Sequence, residues 1–270
     1  MLKLPKLAQV VDEALLDIDT FSYLGKKRRR DATIPLSKLL AVMVWFSWSG
    51  MVRWKTYIRV QLPLLLKQRL SYSRWCYWRA TLAPLLKVLA HKLCWKKGYR
   101  GLAFADSTPL PVCMITRERD HKCFKSHATK SRSSTGWAYG LKLHLLTSST
   151  GEPLRFWLTS NNVHDTKFLQ EDMLEGITGR LVTDAGYRNK KNDRFIDQGL
   201  NIIVRPYKKK EQELSDHARA LFRRRWRIES VFAVLKNTLG LGTIRLCCRR
   251  ITTFETTVFA ALIALTLKNA

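Results

Sequence analysis

The segment LAFADST, residues 102–108, is the first strand-like stretch of the chain, and its apolar run ends at Asp106. The segment LVTDAGY, residues 181–187, has the same form and ends its apolar run at Asp184. Periodicity and turn residues predict further strands at residues 139–147, 154–159 and 201–204, and helices at residues 166–174 and 188–198. An antiparallel hairpin that leads into parallel strands alternating with helices is a mixed α/β sheet with helices on its faces.

The N-terminal region has a different texture. Residues 1–97 show periodic apolar positions and almost no glycine, which is typical of helices. The most apolar stretch, residues 39–46, is too short to cross a bilayer and is interpreted as a buried helix. Gly98 then breaks the pattern. We therefore predict an all-helical domain at residues 1–97 and an α/β domain at residues 98–270.

The chain is strongly basic, with 48 Lys and Arg against 21 Asp and Glu and a net charge of +27. This charge is spread along the whole sequence, whereas a membrane-binding protein would concentrate it in an amphipathic segment or add an apolar anchor. A nucleic acid is therefore the expected partner, and no membrane is expected. Acidic residues follow the first lysines closely, and six cysteines lack zinc-type spacing. We expect a cytoplasmic protein with reduced thiols.

Asp106 and Asp184 are the first candidate catalytic groups, because both follow strands whose ends meet at one edge of the predicted sheet. Magnesium prefers oxygen ligands and is usually held by a few carboxylates, water and substrate phosphate. Two such aspartates and one more acid would suffice. The alternative is that each aspartate only caps a helix or forms a turn.

The third candidate acid is Glu229, in a predicted helix at residues 221–240. Helical spacing places it on a stripe beside an apolar one, at the rim of the buried face, from which it can point at the sheet edge. An ion pair with Arg225, one turn earlier, is the alternative. Three other basic residues of this helix project elsewhere and could reach a phosphate backbone: Arg223, Arg224 and Arg227.

The helical domain contains two candidate DNA contacts. In the segment SYSRWCYWR, residues 71–79, Arg74 and Arg79 stand among aromatic residues, as in a recognition helix of a helix-turn-helix module, although Trp75 and Trp78 are equally typical of a core. A run of five basic residues is interpreted as a phosphate-contacting segment: Lys26, Lys27, Arg28, Arg29 and Arg30.

Two further segments have no assigned catalytic role. The polar stretch at residues 117–135 is predicted to be a long loop, either functional or simply a surface loop. His164 and Asp165 follow a predicted strand and could approach the acids. Asp165 is instead interpreted as a helix N-cap.

The motifs together resemble the DDE transposases of bacterial insertion sequences, which share the ribonuclease H-like fold with retroviral integrases. In that family's helical signature, a tyrosine is followed by arginine, glutamate and lysine at steps of three, four and seven residues. The same places here are taken by Phe222, Arg225, Glu229 and Lys236, with phenylalanine instead of tyrosine. The resemblance covers residues 100–270 and is closest to insertion-sequence family 982. Its other motifs are DST at 106–108, GLKLH at 140–144, NVHD at 162–165 and TDAGY at 183–187.

The resemblance implies a ribonuclease H-like domain in which Asp106, Asp184 and Glu229 hold two Mg²⁺ ions, with Mn²⁺ as the alternative. It further implies cleavage of one strand at the element's end and attack of the freed 3′-hydroxyl on target DNA, with Arg225 and Lys236 near the phosphate. Double-stranded DNA is then the substrate, and a homodimer or higher assembly is expected because two ends must be brought together. The rival hypotheses are a non-catalytic DNA-binding repressor or domesticated relative, and a structure-specific nuclease of the same fold.

Overall fold

A computed structural model describes residues 3–20, 34–67, 69–95, 98–133, 136–206 and 215–269. The chain forms two compact units. The first comprises Met1–Cys94, His121–Phe124 and Val234–Ala270, and the second comprises Trp95–Asp120 and Lys125–Ala233. The predicted division at residue 97 differs from this grouping in one main respect, since the C-terminal residues group with the N-terminal helices.

The first unit is helical in its described residues. Before the sheet it contains α1 (Leu4–Leu15), α2 (Leu36–Trp48), α3 (Trp54–Val60), α4 (Leu62–Leu66), α5 (Tyr72–Thr81) and α6 (Ala83–Cys94). Most of α2 is buried, which confirms the buried helix predicted at residues 39–46. These helices confirm the predicted helical N-terminal region.

The C-terminal helices complete the first unit. After a π-helical turn at Val234–Thr238, the short α10 (Ile244–Cys247) precedes the long α11 (Ile251–Asn269). By length and composition α11 is apolar enough to cross a membrane, but 67% of its apolar window is buried. It packs against α2 and α6. Because α11 is apolar nearly all round, it is the central helix of this unit.

The second unit is built on a sheet that contains six described strands. Their order is β2-β3-β1-β5-β6, and β4 also pairs with β3. The pairs β1–β3, β2–β3 and β3–β4 are antiparallel, whereas β1–β5 and β5–β6 are parallel. This is the predicted mixed α/β sheet, and it has the form expected of a ribonuclease H-like domain. The strands are β1 (Tyr99–Pro111), β2 (Thr129–Ser133), β3 (Gly136–Ser148), β4 (Pro153–Ser160), β5 (Ile177–Thr183) and β6 (Leu200–Val204).

Several elements differ from their predicted extent. The predicted loop at residues 117–135 contains β2. The residues of β2 are all polar and alternate between exposed and half-buried positions, so the strand has no apolar pattern that would predict it. The predicted helix at 166–174 consists of a 3₁₀ turn, Asp165–Phe168, and a short α7, Glu171–Leu174. The extended backbone of Gln170 separates these two turns. The predicted helix at 188–198 contains only a 3₁₀ segment, Lys190–Phe195.

The core of the second unit lies against the central strands. Ala103 and Ala105 of β1 are fully buried with Leu181 of β5, Phe168 and Tyr187. A Cβ atom at Gly140 of β3 would collide with the carbonyl oxygen of Leu110, so β1 and β3 require glycine at this close approach. β1 and β5 therefore share one buried cluster, and β1 also lies close against β3.

Candidate active site

Asp106 and Asp184 lie side by side where the parallel pairing of β1 with β5 ends. The last pair in this register is Ala105 with Thr183, and it is followed by Asp106 inside β1 and by Asp184 directly after β5. The side chain of Asp106 is 23% exposed and that of Asp184 is 51% exposed. The predicted meeting of these acids is confirmed, whereas the predicted end of the first strand at Asp106 is wrong, because β1 continues to Pro111 as a partner of β3.

A single buried guanidinium bridges the two carboxylates. Arg225 Nη2 donates to Asp106 Oδ2 at 3.1 Å, and Arg225 Nη1 lies 3.3 Å from Asp184 Oδ1. The other oxygen of Asp106 accepts the backbone N–H of Ser107 at 2.8 Å. Arg225 thus serves as the shared counter-ion of both acids. Sequence reasoning predicted a phosphate contact for it, whereas its described partners are the aspartates.

The electrostatics of Asp106 favour a neighbouring cation. Burial raises the pKa of Asp106 to about 6, against the opposing effects of Arg225 and the Ser107 N–H. The negative charges of Asp184 and Asp165 raise this pKa further. A carboxylate in this environment gains from additional positive charge, because desolvation disfavours its ionised form.

A break in the helix brings Arg225 to this position. The predicted continuous helix at residues 221–240 is wrong, since α8 (Asp216–Arg223) ends before Arg225 and α9 (Trp226–Ala233) begins after it. Tight bonds join the two, from Arg225 N to Phe222 O and from Arg227 N to Arg224 O. From this turn the Arg225 side chain reaches Asp106 and Asp184.

Glu229 is on α9, exposed to solvent and next to the buried Ile228. Among the described contacts, none joins Glu229 to Asp106 or Asp184, and none forms the local ion pair with Arg225. Within the described part of the chain, no three His, Cys, Asp or Glu side chains are grouped closely enough to hold a metal ion. The structure therefore brings together Asp106, Asp184 and Arg225, and leaves the role of Glu229 as a prediction.

Asp165 is a third acid near the pair. Its Oδ1 accepts the Ser107 hydroxyl at 2.8 Å and lies 3.2 Å from Lys142 Nζ. The predicted N-cap role is wrong, because the cap of this 3₁₀ turn is His164, whose Nδ1 accepts the Thr166 N–H at 3.3 Å. The position of Asp165 in the segment that follows β4 was the signal that indicated its approach to the acids.

His144 is fully buried beside Asp165. Its Nδ1 is 3.7 Å from Asp165 Oδ1, and its Nε2 shares a hydrogen bond of 3.0 Å with Thr159 Oγ1. Burial lowers the pKa of His144 to about 4, with an opposing effect of Asp165 and a further lowering by Lys142. The imidazole is therefore neutral at neutral pH, and Lys142 supplies the positive charge beside Asp165.

The other predicted DNA contacts near the family signature differ in exposure. Arg223 and Arg224 are exposed, whereas Arg227 is half-buried, with its guanidinium 4.4 Å from the Trp226 ring. Lys236 is in the π-helical turn, where partial burial lowers its pKa. Arg223 and Arg224 are thus the best exposed of these residues to meet a phosphate backbone.

The predicted DNA contacts of the first unit also differ in their exposure to solvent. Arg74 is exposed on α5, as a DNA contact requires. Arg79 is 2% exposed, and its Nη2 donates to the Thr253 carbonyl oxygen at 3.1 Å, so its predicted surface contact is corrected to a structural role. Trp75 is fully buried, as the core alternative predicted. The residues Lys26, Lys27, Arg28, Arg29 and Arg30 lie outside the described part of the chain.

The paired aspartates suit a divalent cation by the chemistry of their donors. Both present carboxylate oxygens, the preferred ligands of Mg²⁺ and Mn²⁺, and already share one cationic partner. The half-exposed Asp184 leaves room for water and a substrate phosphate. These two residues would hold such an ion.

Comparison with protein families identifies residues 96–248 as a match to the transposase DDE domain. No curated protein matches the chain at a significant level. The matched region includes β1 and β5 with their aspartates, Arg225 and Glu229, and it spans more than half of the 270 residues. The chain therefore belongs to the transposase DDE domain family.

Proposed function

We propose that the chain is a DNA transposase that cleaves a strand at the end of its element and joins the 3′-hydroxyl to target DNA, with Asp106, Asp184 and Glu229 as catalytic acids. The observation that carries the proposal is the pairing of Asp106 with Asp184 around one buried guanidinium, within a domain of the transposase DDE family. Two divalent ions, Mg²⁺ or Mn²⁺, would stabilise the attacking and leaving oxygens of the in-line displacement.

Arg225 prepares the acids for this role. Without a counter-ion, two neighbouring carboxylates repel each other and one of them binds a proton. The guanidinium keeps Asp106 and Asp184 together while they are not bound to metal, and its Nη atoms approach one oxygen of each. Once other cations neutralise the aspartates, the same guanidinium is available to a DNA phosphate.

Glu229 completes the proposed acid set through its place on α9. It lies four residues after Arg225, and its backbone N–H donates to the Arg225 carbonyl oxygen at 3.4 Å, so the two residues are close at the first turn of α9. Its side chain is exposed and is therefore accessible to a metal ion or a substrate. The family signature of Phe222, Arg225, Glu229 and Lys236 supports this assignment.

The partner assigned by this proposal is double-stranded DNA, both element ends and target. The net charge of +27 and the exposed Arg223 and Arg224 support it. We further propose that the N-terminal helices form a helix-turn-helix-like DNA-binding domain, in which α4 and α5 are separated by a left-handed residue, Lys67. A homodimer or higher assembly in the cytoplasm, at the nucleoid, and membership of insertion-sequence family 982 belong to the same proposal.

The test is cleavage of DNA that contains the element's ends by wild-type protein and by Asp184→Asn. The substitution removes a metal-binding charge and preserves the shape of the side chain. We expect loss of metal-dependent cleavage with DNA binding nearly unchanged. Cleavage retained by the variant would contradict the metal role of Asp184. Cleavage without joining in the wild type would instead support the nuclease hypothesis.

A further inference from the structure

The first unit contains a basic cavity of about 360 Å³, which we name the α3–α5 pocket. It is formed by residues at the start of α3, residues of α5 and the segment that joins α10 to α11. Four exposed cations line it: Arg53, Lys55, Arg249 and Arg250. Among its described lining residues none is acidic, so this cation cluster is not neutralised from within the cavity.

The base of the pocket is formed by a buried arginine and stacked aromatic rings. Arg79 is buried there and is held by the Thr253 carbonyl oxygen at 3.1 Å and the Thr257 hydroxyl at 3.3 Å. Its guanidinium stacks on Trp54 at 4.0 Å, and Trp54 stacks in turn on Phe46 at 3.6 Å between ring centroids. A further partner of Arg79 Nη2 is Cys248 Sγ at 3.9 Å. Arg79 and Trp54 thus form a packed base of the pocket.

One wall carries an aromatic side chain. Tyr72 lines the pocket and is 47% exposed, and Cys76 follows it one helical turn later on α5. Burial and a hydrogen bond with Cys76 raise the pKa of Tyr72, while the charges of Arg79 and Arg249 lower it. Tyr72, Arg79 and Arg249 line the same cavity, so the tyrosine side chain borders the space that the cations surround.

We propose that the α3–α5 pocket binds a phosphodiester of single-stranded DNA, with Arg53, Lys55, Arg249 and Arg250 around the phosphate and the ring of Tyr72 against the adjoining base. This inference rests on the proposed DNA substrate and deepens it. Arginine pairs well with phosphate oxygens, and an exposed ring supplies a stacking surface for a base of any sequence. The pocket thus combines the two features that proteins use to hold unpaired strands.

The shape of the site favours a single strand over a duplex. A cavity of about 360 Å³ is at the small end of the range that encloses a small ligand, so one nucleotide fits it. A duplex presents its phosphates on a convex surface with the bases paired inside, and its bases could not reach Tyr72. The transfer reaction proposed above produces a free strand end that such a site could hold.

The experiment measures binding of a fluorescent eight-nucleotide oligothymidylate to the full chain by anisotropy, in EDTA. The pocket variant is Arg249→Ala with Arg250→Ala. The matched control is Lys38→Ala with Lys87→Ala, which removes the same charge from exposed positions of α2 and α6. We expect about tenfold weaker binding for the pocket variant and little change for the control. The salt slope should fall by about 0.7 for each phosphate that the variant no longer neutralises.

Equal decreases in affinity for the two double variants would overturn the proposal, because they would show a general effect of charge. A larger decrease for a duplex of the same length than for the single strand would overturn the assignment to unpaired DNA. The assay contains no metal and does not use Asp106, Asp184 or Glu229. Its failure is therefore distinguishable from failure of the proposed catalysis.

A second measurement uses the wild-type protein and needs no folding control. Iodoacetamide labels Cys76 in the pocket and the exposed Cys123 of the same unit, and peptide mass spectrometry reports each site separately. We expect the oligothymidylate to slow labelling of Cys76 and to leave Cys123 unchanged. Equal rates at Cys76 with and without the oligonucleotide would refute occupancy of the pocket.

Discussion

Arg225 Nη2 donates a hydrogen bond of 3.1 Å to Asp106 Oδ2, although the two residues are 119 positions apart in the chain. The arginine side chain is 6% exposed and also contacts Asp184. A buried cation in this position links the turn between α8 and α9 to the sheet edge, so the geometry of the candidate acids depends on a helix that follows the sheet in sequence.

Removing this cation should destabilise the chain when metal is absent. Arg225→Ala leaves two close carboxylates without their shared counter-ion, and breaking a buried ion pair costs about 3 kcal/mol. We expect the free energy of unfolding in EDTA, measured with urea, to fall by about that amount. Added Mg²⁺ should restore more stability to the variant than to the wild type. Arg223→Ala, which changes an exposed arginine at the end of α8, is the control. A Mg²⁺ effect that is equal in all three proteins would contradict the counter-ion role.

The raised pKa of Asp106 predicts a pH dependence of stability. Its folded pKa is about 6 against an ordinary value of 3.8, so the folded state retains the proton longer as pH rises. The contribution of Asp106 to the free energy of unfolding is therefore lost as the pH rises from about 4 to about 6. Asp106→Asn should remove this loss and be more stable than the wild type by about 1 to 3 kcal/mol at pH 7 in EDTA.

His144 makes the opposite contribution in the same range. The pKa of His144 in the folded state is about 4, below the ordinary value of 6.5. The contribution of His144 to the free energy of unfolding is therefore complete above pH 6.5 and is lost as the pH falls towards 4. The effects of Asp106 and His144 on the pH dependence of stability therefore partly cancel in the wild type. The measurement is the difference between the unfolding curves of wild type and Asp106→Asn at each pH. A difference that stays constant from pH 4 to pH 7 would rule out the raised pKa.

Glu229 and Asp165 should have unequal effects on cleavage. Glu229→Gln removes a proposed metal-binding charge, and we expect a loss on the order of 10³-fold or more. Asp165→Asn changes a residue that orients Ser107 beside Asp106 and pairs with Lys142, and outer partners of this kind typically contribute about 10- to 100-fold. Single-turnover cleavage of end-containing DNA gives both values.

The control for this comparison is Asp172→Asn, at an exposed acid on α7 that lies outside the site. It should cleave like the wild type. If Asp165→Asn lost all activity while Glu229→Gln stayed active, the third acid would be Asp165. Retained Mg²⁺ affinity in Asp165→Asn, measured by calorimetry, would distinguish positioning from direct ligation.

The sheet and its two aspartates could be predicted because both follow from local pattern. Each apolar run predicts a buried strand, and the parallel pairing of the two strands brings Asp106 and Asp184 together, although β1 continues past Asp106 to Pro111. The break at Arg225 could not be predicted in this way. The spacing of apolar residues continues through residues 221–240, and the partners of Arg225 at the turn, Asp106 and Asp184, are distant in the sequence.

Asp165 and Arg79 illustrate the same limit. An aspartate before a helical turn has the local pattern of an N-cap, and its true partners, Ser107 and Lys142, come from β1 and β3. An arginine among aromatic residues has the pattern of a DNA contact. Its partners Thr253 and Thr257 lie 174 and 178 positions later, in α11. Partners this distant cannot be inferred from local spacing.

Arg74 and Arg79 provide the last prediction, because they lie on the same helix with opposite exposure. Arg79→Ala removes a guanidinium that packs on Trp54 and bonds to α11, so we expect a loss of about 2 to 4 kcal/mol in the free energy of unfolding. Arg74→Ala should leave stability within about 0.5 kcal/mol and weaken binding to end-containing DNA. Thermal unfolding and anisotropy on the same preparations separate the two effects. Equal destabilisation by both substitutions would contradict the buried role of Arg79, and unchanged DNA affinity in Arg74→Ala would remove α5 from the proposed DNA-binding surface.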